Sequence, residues 1–273
     1  MALTINTNIS SLQAAYQINS ISKALEKNQQ KLTTGFRINS AADGPAALII
    51  SVKFASQIAG MEQAQQNVSN GINLVQSADK TLETVQKMLV TAKKLALDSL
   101  DGTRDAAART ANNSELANQL TSIDRITKNT KFGGNVLLDG TFTAKNLQIG
   151  ESASQTYALS IGDMTSTGLS IDAIKVDDVT NAGTALAAIE TAIDAVAAER
   201  GRLGAIQNNV LETQSETLTI QLENIKAAKA TVDATDTVSE QADMTKNNTR
   251  LQIAMYMLTQ SNQNAGLVLS LFR

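Results

Sequence analysis

The chain has 273 residues with 23 basic and 26 acidic side chains, and its net charge of -3 gives no reason to expect nucleic acid or an anionic membrane as a partner. It contains no histidine and no cysteine, which excludes His/Cys metal sites, cysteine nucleophiles, imidazole acid–base catalysis and disulfides. Aromatic residues are scarce, at 3%, and there is a single proline, a composition that favours long helices with thin seams. We therefore expect neither a cofactor nor an enzymatic activity.

Both ends of the chain are free of charge. Residues 1–22 and 251–272 contain no Lys, Arg, Asp or Glu, whereas the ends of soluble domains are usually solvated. They combine apolar residues at helical spacing with Asn, Gln, Ser and Thr, so we expect them to bury their apolar stripes against further copies of the chain. The amides near the middle of the second segment argue against a transmembrane helix, and the first segment lacks the pattern of a Sec signal.

The first predicted helix ends near Gly35, a residue suited to a left-handed C-terminal cap. Its apolar stripe advances in steps of four and three residues and comprises Ala14, Ile18, Ile21, Leu25, Asn28 and Leu32. A linker with the sequence RINSAAD follows, and Gly44-Pro45 then opens a second helix, where the missing N–H of proline does no harm.

The second helix is long and resembles a coiled coil. Its apolar positions recur close to a heptad average and are Ile58, Met61, Ala64, Val68, Ile72, Val75, Ala78, Leu82, Val85, Leu89, Ala92 and Leu95. Asp101-Gly102-Thr103 predicts a turn, after which a third helix folds back antiparallel and ends at Gly133-Gly134. Between about 141 and 162 the period changes to two, which predicts a small β-hairpin.

Residues 163–183 are rich in turn formers, and helices resume from about 184. The fourth helix carries Leu211, Leu218, Leu222, Ile225, Ala228 and Val232, and the last carries Leu251, Met255, Leu258, Asn262, Ala265, Leu269 and Phe272. We predict a mainly α fold: a long antiparallel helical hairpin or coiled-coil rod with a small β-hairpin region and with the N- and C-terminal helices paired. A hairpin whose stripes form only its own core explains residues 46–232 but not the uncharged ends.

Several segments, in order, resemble bacterial flagellin. They are KLTTGFRINSAAD at 31–43, NVSNGIN at 67–73, TKFGGNVLLDG at 130–140, LQIG at 147–150, IGDM at 161–164, RLGA at 202–205 and the closing stretches 257–263 and 268–273. The resemblance spans nearly the whole chain, so it is far more specific than any single motif.

The resemblance implies the self-assembling subunit of the flagellar filament, in a minimal form. The family's inner D0 region would comprise 1–44, a helix and linker, and 235–273, the C-terminal helix. The outer D1 region would comprise 45–180, with helices and hairpin, and 181–234, a C-terminal helix. It further implies unfolded export through the flagellar type III apparatus, an extracellular location, and four partners: other copies of itself, an export chaperone, the filament cap and the hook–filament junction proteins.

Functional residues follow from the same resemblance. The polymerisation interface would consist of Ala14, Ile18, Ile21, Leu25, Leu32, Leu251, Met255, Leu258, Ala265, Leu269 and Phe272. The linkers would depend on Arg37, Asn39, Asp43, Pro45 and Asp236. The region read by the Toll-like receptor for flagellin would contain Leu89, Thr91, Lys93, Lys94 and Leu95.

The chain departs from the family pattern at a few positions. The common pair of acidic residues reads Asp43-Gly44 before Pro45, and the common Asp-Ala-Asp reads Ala234-Thr235-Asp236. In the receptor region Thr91 replaces the family's first arginine and Lys94 its glutamate, which predicts weak receptor activation. Two alternatives remain at this point: a hook–filament junction protein, and a chemoreceptor-like signalling hairpin, for which the chain shows no membrane anchor.

Overall fold

A computed structural model describes the backbone of residues 8–270 and the side chains of residues 8–263. In chain order the helices are α1 (Ile9–Thr34), α2 (Pro45–Leu100), α3 (Ala106–Asn129), α4 (Val179–Ile206), α5 (Thr213–Asp233) and α6 (Thr237–Ser270). The strands, which lie between α3 and α4, are β1 (Lys131–Phe132), β2 (Asn135–Val136), β3 (Lys145–Gln148) and β4 (Thr156–Leu159). The mainly α fold predicted from the sequence is confirmed.

The chain forms two compact units. Of the described residues, unit 1 contains 8–56 and 224–270, and unit 2 contains 57–223. Helices α2 and α5 contribute residues to both units.

In unit 1, helix α1 packs against helix α6. Helix α1 begins where the Asn8 side chain accepts a hydrogen bond from Ser11 N at 3.1 Å, which satisfies one of the free N–H groups of the first turn. It ends at Gly35, whose φ of 73° is left-handed, as the sequence predicts. Helix α2 begins at Pro45, also as predicted.

The core of unit 2 is a helical seam along α2. The buried residues of α2 alternate strictly in steps of three and four and are Met61, Ala64, Val68, Gly71, Val75, Ala78, Leu82, Val85, Leu89, Ala92, Ala96 and Ser99. This is a heptad repeat, with seven residues per two turns. The sequence prediction places Ile72 and Leu95 in the seam, but the strict alternation puts Gly71 and Ala96 there instead.

Helices α3 and α4 both run antiparallel to α2 in unit 2. At the α2–α3 turn, Asn112 donates hydrogen bonds to Asp98 Oδ2 at 2.8 Å and to Ser99 Oγ at 3.0 Å. Along α4, the Arg200 guanidinium lies 2.8 Å from Asp79 Oδ1 and 2.7 Å from Gln86 Oε1.

Helix α4 continues into α5 through a π-helical segment, Gln207–Glu212. Two side chains bridge positions five apart: Gln207 Nε2 donates to Glu212 Oε1 at 2.8 Å, and Thr213 Oγ1 donates to Asn208 O at 3.2 Å. Buried residues follow a heptad up to Ile206 and resume at Leu211, a step of five. The π segment therefore inserts one residue between two heptad runs.

The strands form two small antiparallel hairpins. In the predicted hairpin, β3 pairs with β4 so that Leu147 faces Tyr157 and Lys145 faces Leu159. The prediction that Gly133-Gly134 ends α3 is wrong, because α3 ends at Asn129. Those glycines instead form the turn between β1 and β2, with φ of 57° and 88°. Two successive positive φ values are typical of the tightest hairpin turns.

Candidate functional site

The paired terminal helices of unit 1 run antiparallel. At one end Asn8 Nδ2 donates to Ser261 O at 3.1 Å, and Ser11 Oγ donates to Asn262 Oδ1 at 2.9 Å. At the other end Lys31 Nζ lies 3.4 Å from the Glu240 carboxylate. Over most of its length the pair is therefore joined by side-chain packing, with amide and hydroxyl hydrogen bonds at the uncharged end.

The seam of this pair is a heptad on both helices. On α6 the less exposed positions are Glu240, Met244, Asn247, Leu251, Ala254, Leu258 and Ser261, and on α1 the matching row is Ser11, Ala14, Ile18, Ile21, Leu25, Asn28 and Leu32, with Ala15, Ser22, Ala24 and Lys31 half-buried beside it. Alternating steps of three and four residues keep both rows on the facing sides of the two helices.

Most of the predicted interface residues lie in this intrachain seam. They are half-buried rather than free, and they are Ala14, Ile18, Ile21, Leu25, Leu32, Leu251 and Leu258. Met255 stands beside the seam and is 48% exposed. The Ala265 and Leu269 side chains, and Phe272 as a whole, lie outside the described residues. Their role in polymerisation stays a prediction.

A second set of apolar residues remains uncovered outside the seam, on the flank and the backs of the two helices. Ile9, Leu12 and Tyr16 on α1, and Ile253, Tyr256 and Met257 on α6, are each more than half exposed. Sequence reasoning passes over them because it follows the strongest stripe of each helix, which the partner helix in the same chain covers. The one signal for them is the absence of charge around them.

The two linkers pair with each other next to the helix ends. Phe36 and Ala234 form an isolated antiparallel bridge. Thr235 N donates to Gly35 O at 3.1 Å, and Arg37 N donates to Asp233 O at 2.7 Å. We call this arrangement, with the side chains of Arg37, Lys229 and Asp233, the linker clamp.

The Arg37 and Asp43 side chains do not meet. Arg37 Nη2 donates to Val232 O at 2.7 Å, so its guanidinium holds the end of α5. The Asp43 carboxylate accepts from Ser40 Oγ at 2.8 Å and lies 3.3 Å from Lys27 Nζ. The hydrogen bond from Ser40, with that from Lys27, keeps the pKa of Asp43 below its ordinary value.

The other predicted linker residues shape the chain locally. Asn39 Nδ2 donates to Phe36 O at 2.8 Å, closing a turn. Pro45 is the first residue of α2. Asp236 Oδ1 accepts from Val238 N at 3.0 Å and Ser239 N at 3.2 Å, which caps the start of α6.

Asp233 is the buried charge of the linker clamp, with 6% of its surface exposed. Its Oδ2 accepts from Ser51 Oγ at 2.7 Å and from Lys229 Nζ at 2.6 Å. The Lys229 ammonium also lies 5.7 Å from the centroid of the Phe36 ring, within the range of a cation–π interaction. No sequence signal marks Asp233, since a carboxylate at a helix end is usually solvated.

Opposing effects act on the pKa of Asp233. Burial raises it, but hydrogen bonds from Lys229 and Ser51, with the charges of Lys229 and Arg37, outweigh burial and hold the pKa below its ordinary value. The carboxylate is thus kept ionised by its partners.

The predicted receptor region lies on α2 in unit 2. Leu89 is fully buried in the heptad seam, and Leu95 is half-buried. Lys93 Nζ pairs with Glu190 Oε1 of α4 at 2.8 Å. Of the five predicted receptor residues, Thr91 and Lys94 are the exposed ones, so these two are accessible to a partner.

The N-terminal helical region of bacterial flagellin matches residues 5–143, and the flagellin C-terminal helical region matches residues 186–272. The chain belongs to the bacterial flagellin family. Flagellin is the structural subunit of the flagellar filament, and this chain is such a subunit. Among the residues that the structure describes, no helix has both the length and the hydropathy needed to cross a bilayer.

Two relatives match over their full length. The chain is 34% identical to flagellin of Bacillus subtilis (strain 168), with 99% of this chain and 100% of the relative covered. It is 32% identical to the flagellar filament 33 kDa core protein of Treponema phagedenis, again over 99% and 100%.

Two solved structures support the fold. Bacillus cereus flagellin is 25% identical with a TM-score of 0.52, covering 60% of this chain and 94% of that one. A protein of Vibrio parahaemolyticus described as a putative flagellar hook-associated protein has a TM-score of 0.59 over 70% of this chain and 99% of its own. At 15% identity, this second likeness concerns the fold alone and does not favour a junction protein over a filament flagellin.

Proposed function

We propose that this flagellin polymerises into an extracellular filament through its paired terminal helices, the D0 region of 1–44 and 235–273, with residues 45–180 and 181–234 as the D1 region. One observation carries the proposal: the α1–α6 pair leaves Ile9, Leu12, Tyr16, Ile253, Tyr256 and Met257 exposed on a surface almost without charge. Such a surface is poorly solvated in a monomer, and further copies would cover it. The proposed role is structural, with no catalysis.

Truncation tests this proposal. Deleting residues 251–273 removes the uncharged half of α6, and we expect a soluble monomer that does not polymerise. The measurement is seeded polymerisation of the purified chain followed by negative-stain electron microscopy, with the full-length chain as control. Normal filaments from the truncated chain would contradict the proposal, and short rings from the full-length chain would favour a hook–filament junction protein.

A single substitution in the seam gives a graded test. We expect Leu251→Asn to raise the critical concentration for polymerisation, because the seam loses a half-buried leucine. Burying a leucine fully is worth about 1.5–3 kcal/mol, so the increase should reach about tenfold. The matched control is Gln252→Asn at the exposed neighbouring position, which should polymerise normally. If the two variants had equal critical concentrations, this would contradict a contribution of the seam leucine to polymerisation.

Export partners follow from the same surface. We propose that the last helix, α6, is the docking site of the flagellar export chaperone, because its apolar residues need covering before assembly. The lack of cysteine suits export of an unfolded chain through a type III channel. The filament cap and the hook–filament junction proteins would then meet the assembled subunit. A chaperone pull-down should capture the full-length chain and lose the chain that lacks residues 251–273.

Recognition by the Toll-like receptor for flagellin is proposed to be weak. The exposed positions of the region carry Thr91 and Lys94, where family members read by the receptor have an arginine and a glutamate. We expect Thr91→Arg with Lys94→Glu to raise potency in a cell reporter assay. Normal potency of the unaltered chain would refute the proposal.

A further inference from the structure

One flank of the terminal helix pair forms a shallow groove. Its floor includes Ala14 and Ala254, and its α6 wall carries Arg250, Ile253 and Met257. The α1 wall is polar but uncharged, with serine and glutamine side chains such as Gln17. Apart from Arg250, the groove is therefore apolar along its α6 side, and it can form hydrogen bonds along its α1 side.

The back of α1 carries a separate apolar stripe. Ile9, Leu12 and Tyr16 stand at positions i, i+3 and i+7, and are 65%, 57% and 67% exposed. This spacing places three side chains on one face of a helix, the pattern by which amphipathic helices enter apolar grooves. No charged side chain precedes Lys23 in the chain, so a partner that covers this stripe does not have to remove water from a charged side chain.

The stripe and the groove lie on different sides of the same helix pair. At about 100° per residue, Leu12 and Tyr16 point away from the seam, whereas the groove residues flank it. One copy therefore cannot fill its own groove with its own stripe. It presents both halves of a contact to its neighbours.

We propose that the stripe Ile9–Leu12–Tyr16 of one copy of this flagellin occupies the groove beside Ile253 and Met257 of the next copy. Two different surfaces meeting make a heterologous contact, which repeats without closing unless the rotation between copies forms a ring. A stripe packed on the same stripe of a second copy would instead close as a two-fold dimer and stop growth. The inference rests on the proposed function and specifies its interface.

The chemistry of the two surfaces favours a second copy as the occupant. The apolar side chains of the stripe can pack against Ile253 and Met257 of the α6 wall. The exposed Tyr16 ring can form a cation–π interaction with the guanidinium of Arg250. The uncharged amides of the α1 wall can bond to the equally uncharged polar residues around a neighbour's stripe. A membrane partner would call for basic residues beside the stripe, and α1 has none before Lys23.

The natural absence of cysteine makes disulfide cross-linking a clean test. Single-cysteine variants Ile9→Cys and Leu12→Cys mark the stripe, and Gln17→Cys and Met257→Cys mark the groove. Each stripe variant is mixed with each groove variant, polymerised from seeds, oxidised mildly and resolved on a non-reducing gel. Met255→Cys is the matched control, because it is another exposed methionine of α6 on the opposite flank from Met257.

We expect covalent dimers from at least one stripe–groove mixture and none from either variant of that mixture alone or from the mixtures with Met255→Cys. If the cysteines themselves hinder growth, a loss of polymerisation confined to stripe and groove variants, with Met255→Cys unaffected, supports the same surfaces. Normal filaments without any stripe–groove dimer overturn the inference and leave the proposed function intact, as do stripe variants that cross-link to themselves. Failure of the unaltered chain to form filaments overturns the proposed function.

Discussion

At the scale of single residues, the most consequential group is the Asp233 carboxylate in the linker clamp. It is nearly buried, yet Lys229, Ser51 and Arg37 keep its pKa below the ordinary value. A carboxylate whose pKa is lower in the folded than in the unfolded chain stabilises the fold above its unfolded pKa. That stabilisation is lost as the pH falls through the folded pKa.

We therefore expect Asp233→Asn to lower the free energy of unfolding at neutral pH by about 1–3 kcal/mol, because Lys229 is left half-buried beside a neutral amide. Below pH about 4 the difference should shrink, because the unfolded chain then binds a proton at Asp233 while the folded carboxylate is still ionised, and it should vanish once the pH has fallen through the lower folded pKa. Thermal unfolding followed by circular dichroism from about pH 2 to about pH 7 measures this, because that range spans the titration of the carboxylate. Asp243→Asn, at an exposed carboxylate, is the control; an equal effect there would contradict the clamp.

Gly71 is a second residue whose role the structure makes specific. A Cβ on Gly71 would lie 2.5 Å from Leu147 Cδ2 of β3, so the missing side chain makes room for the hairpin on the α2 seam. We expect Gly71→Leu to lower stability by about 1–3 kcal/mol, since it overpacks this contact.

The control for that substitution is Gly201→Leu. Gly201 is helical and exposed, and a Cβ added there would have open space within 4 Å, so leucine should raise stability by up to about 1 kcal/mol through helix propensity. Chemical denaturation of both variants gives the two free energies of unfolding. If both substitutions changed the free energy of unfolding in the same direction, the Leu147 side chain would be able to move aside at little cost.

At the scale of elements, the seams are heptads, and the sequence predicts most of them because leucine, isoleucine and valine mark the positions. Prediction fails where the seam residue is small, at Gly71 and Ala96. The larger apolar residue beside each of them, Ile72 or Leu95, also fits the helical period and is assigned to the seam instead. The β1–β2 hairpin escapes prediction because strands of two residues have no readable period. The exposed stripe on α1 escapes it because only the pairing with α6 shows which side is already covered.

The π segment between α4 and α5 is also invisible to apolar periodicity, which is regular on either side of it. It gives a sharp prediction at this scale. Deleting the exposed Asn209 should turn the segment into continuous α-helix, because Leu211 would then follow Ile206 by four residues and stay in the seam. We expect a folded chain with stability changed by no more than about 1 kcal/mol.

Deleting Ala197, an exposed residue of regular α4, is the matched control. It rotates one half of the seam by about 100° relative to the other, which would expose buried side chains and should unfold unit 2. Circular dichroism and limited proteolysis compare the two deletions. Equal damage from both would mean that the π segment is not the site of the inserted residue.

At the scale of the whole molecule, family membership is predictable because its motifs lie along the entire chain, and the mainly α fold is predictable from periodicity. The linker clamp is not, because it joins Arg37 to Val232 and Asp233, residues nearly two hundred positions apart that no local pattern connects. The proposed contact between stripe and groove is harder still to predict from the sequence, since it joins two copies of the chain.

The pairing of α1 with α6 has a further consequence, for synthesis. The hydrogen bond from Asn8 to Ser261 joins residues that are 253 positions apart. The seam of α1 can therefore be covered only after nearly the whole chain has been synthesised. A chain halted by a stop codon before α6 would keep an uncovered α1 seam and would lack the α6 wall of the groove. On the proposed contact such a chain would lack one half of the interface, so we expect only chains that include α6 to enter the polymer.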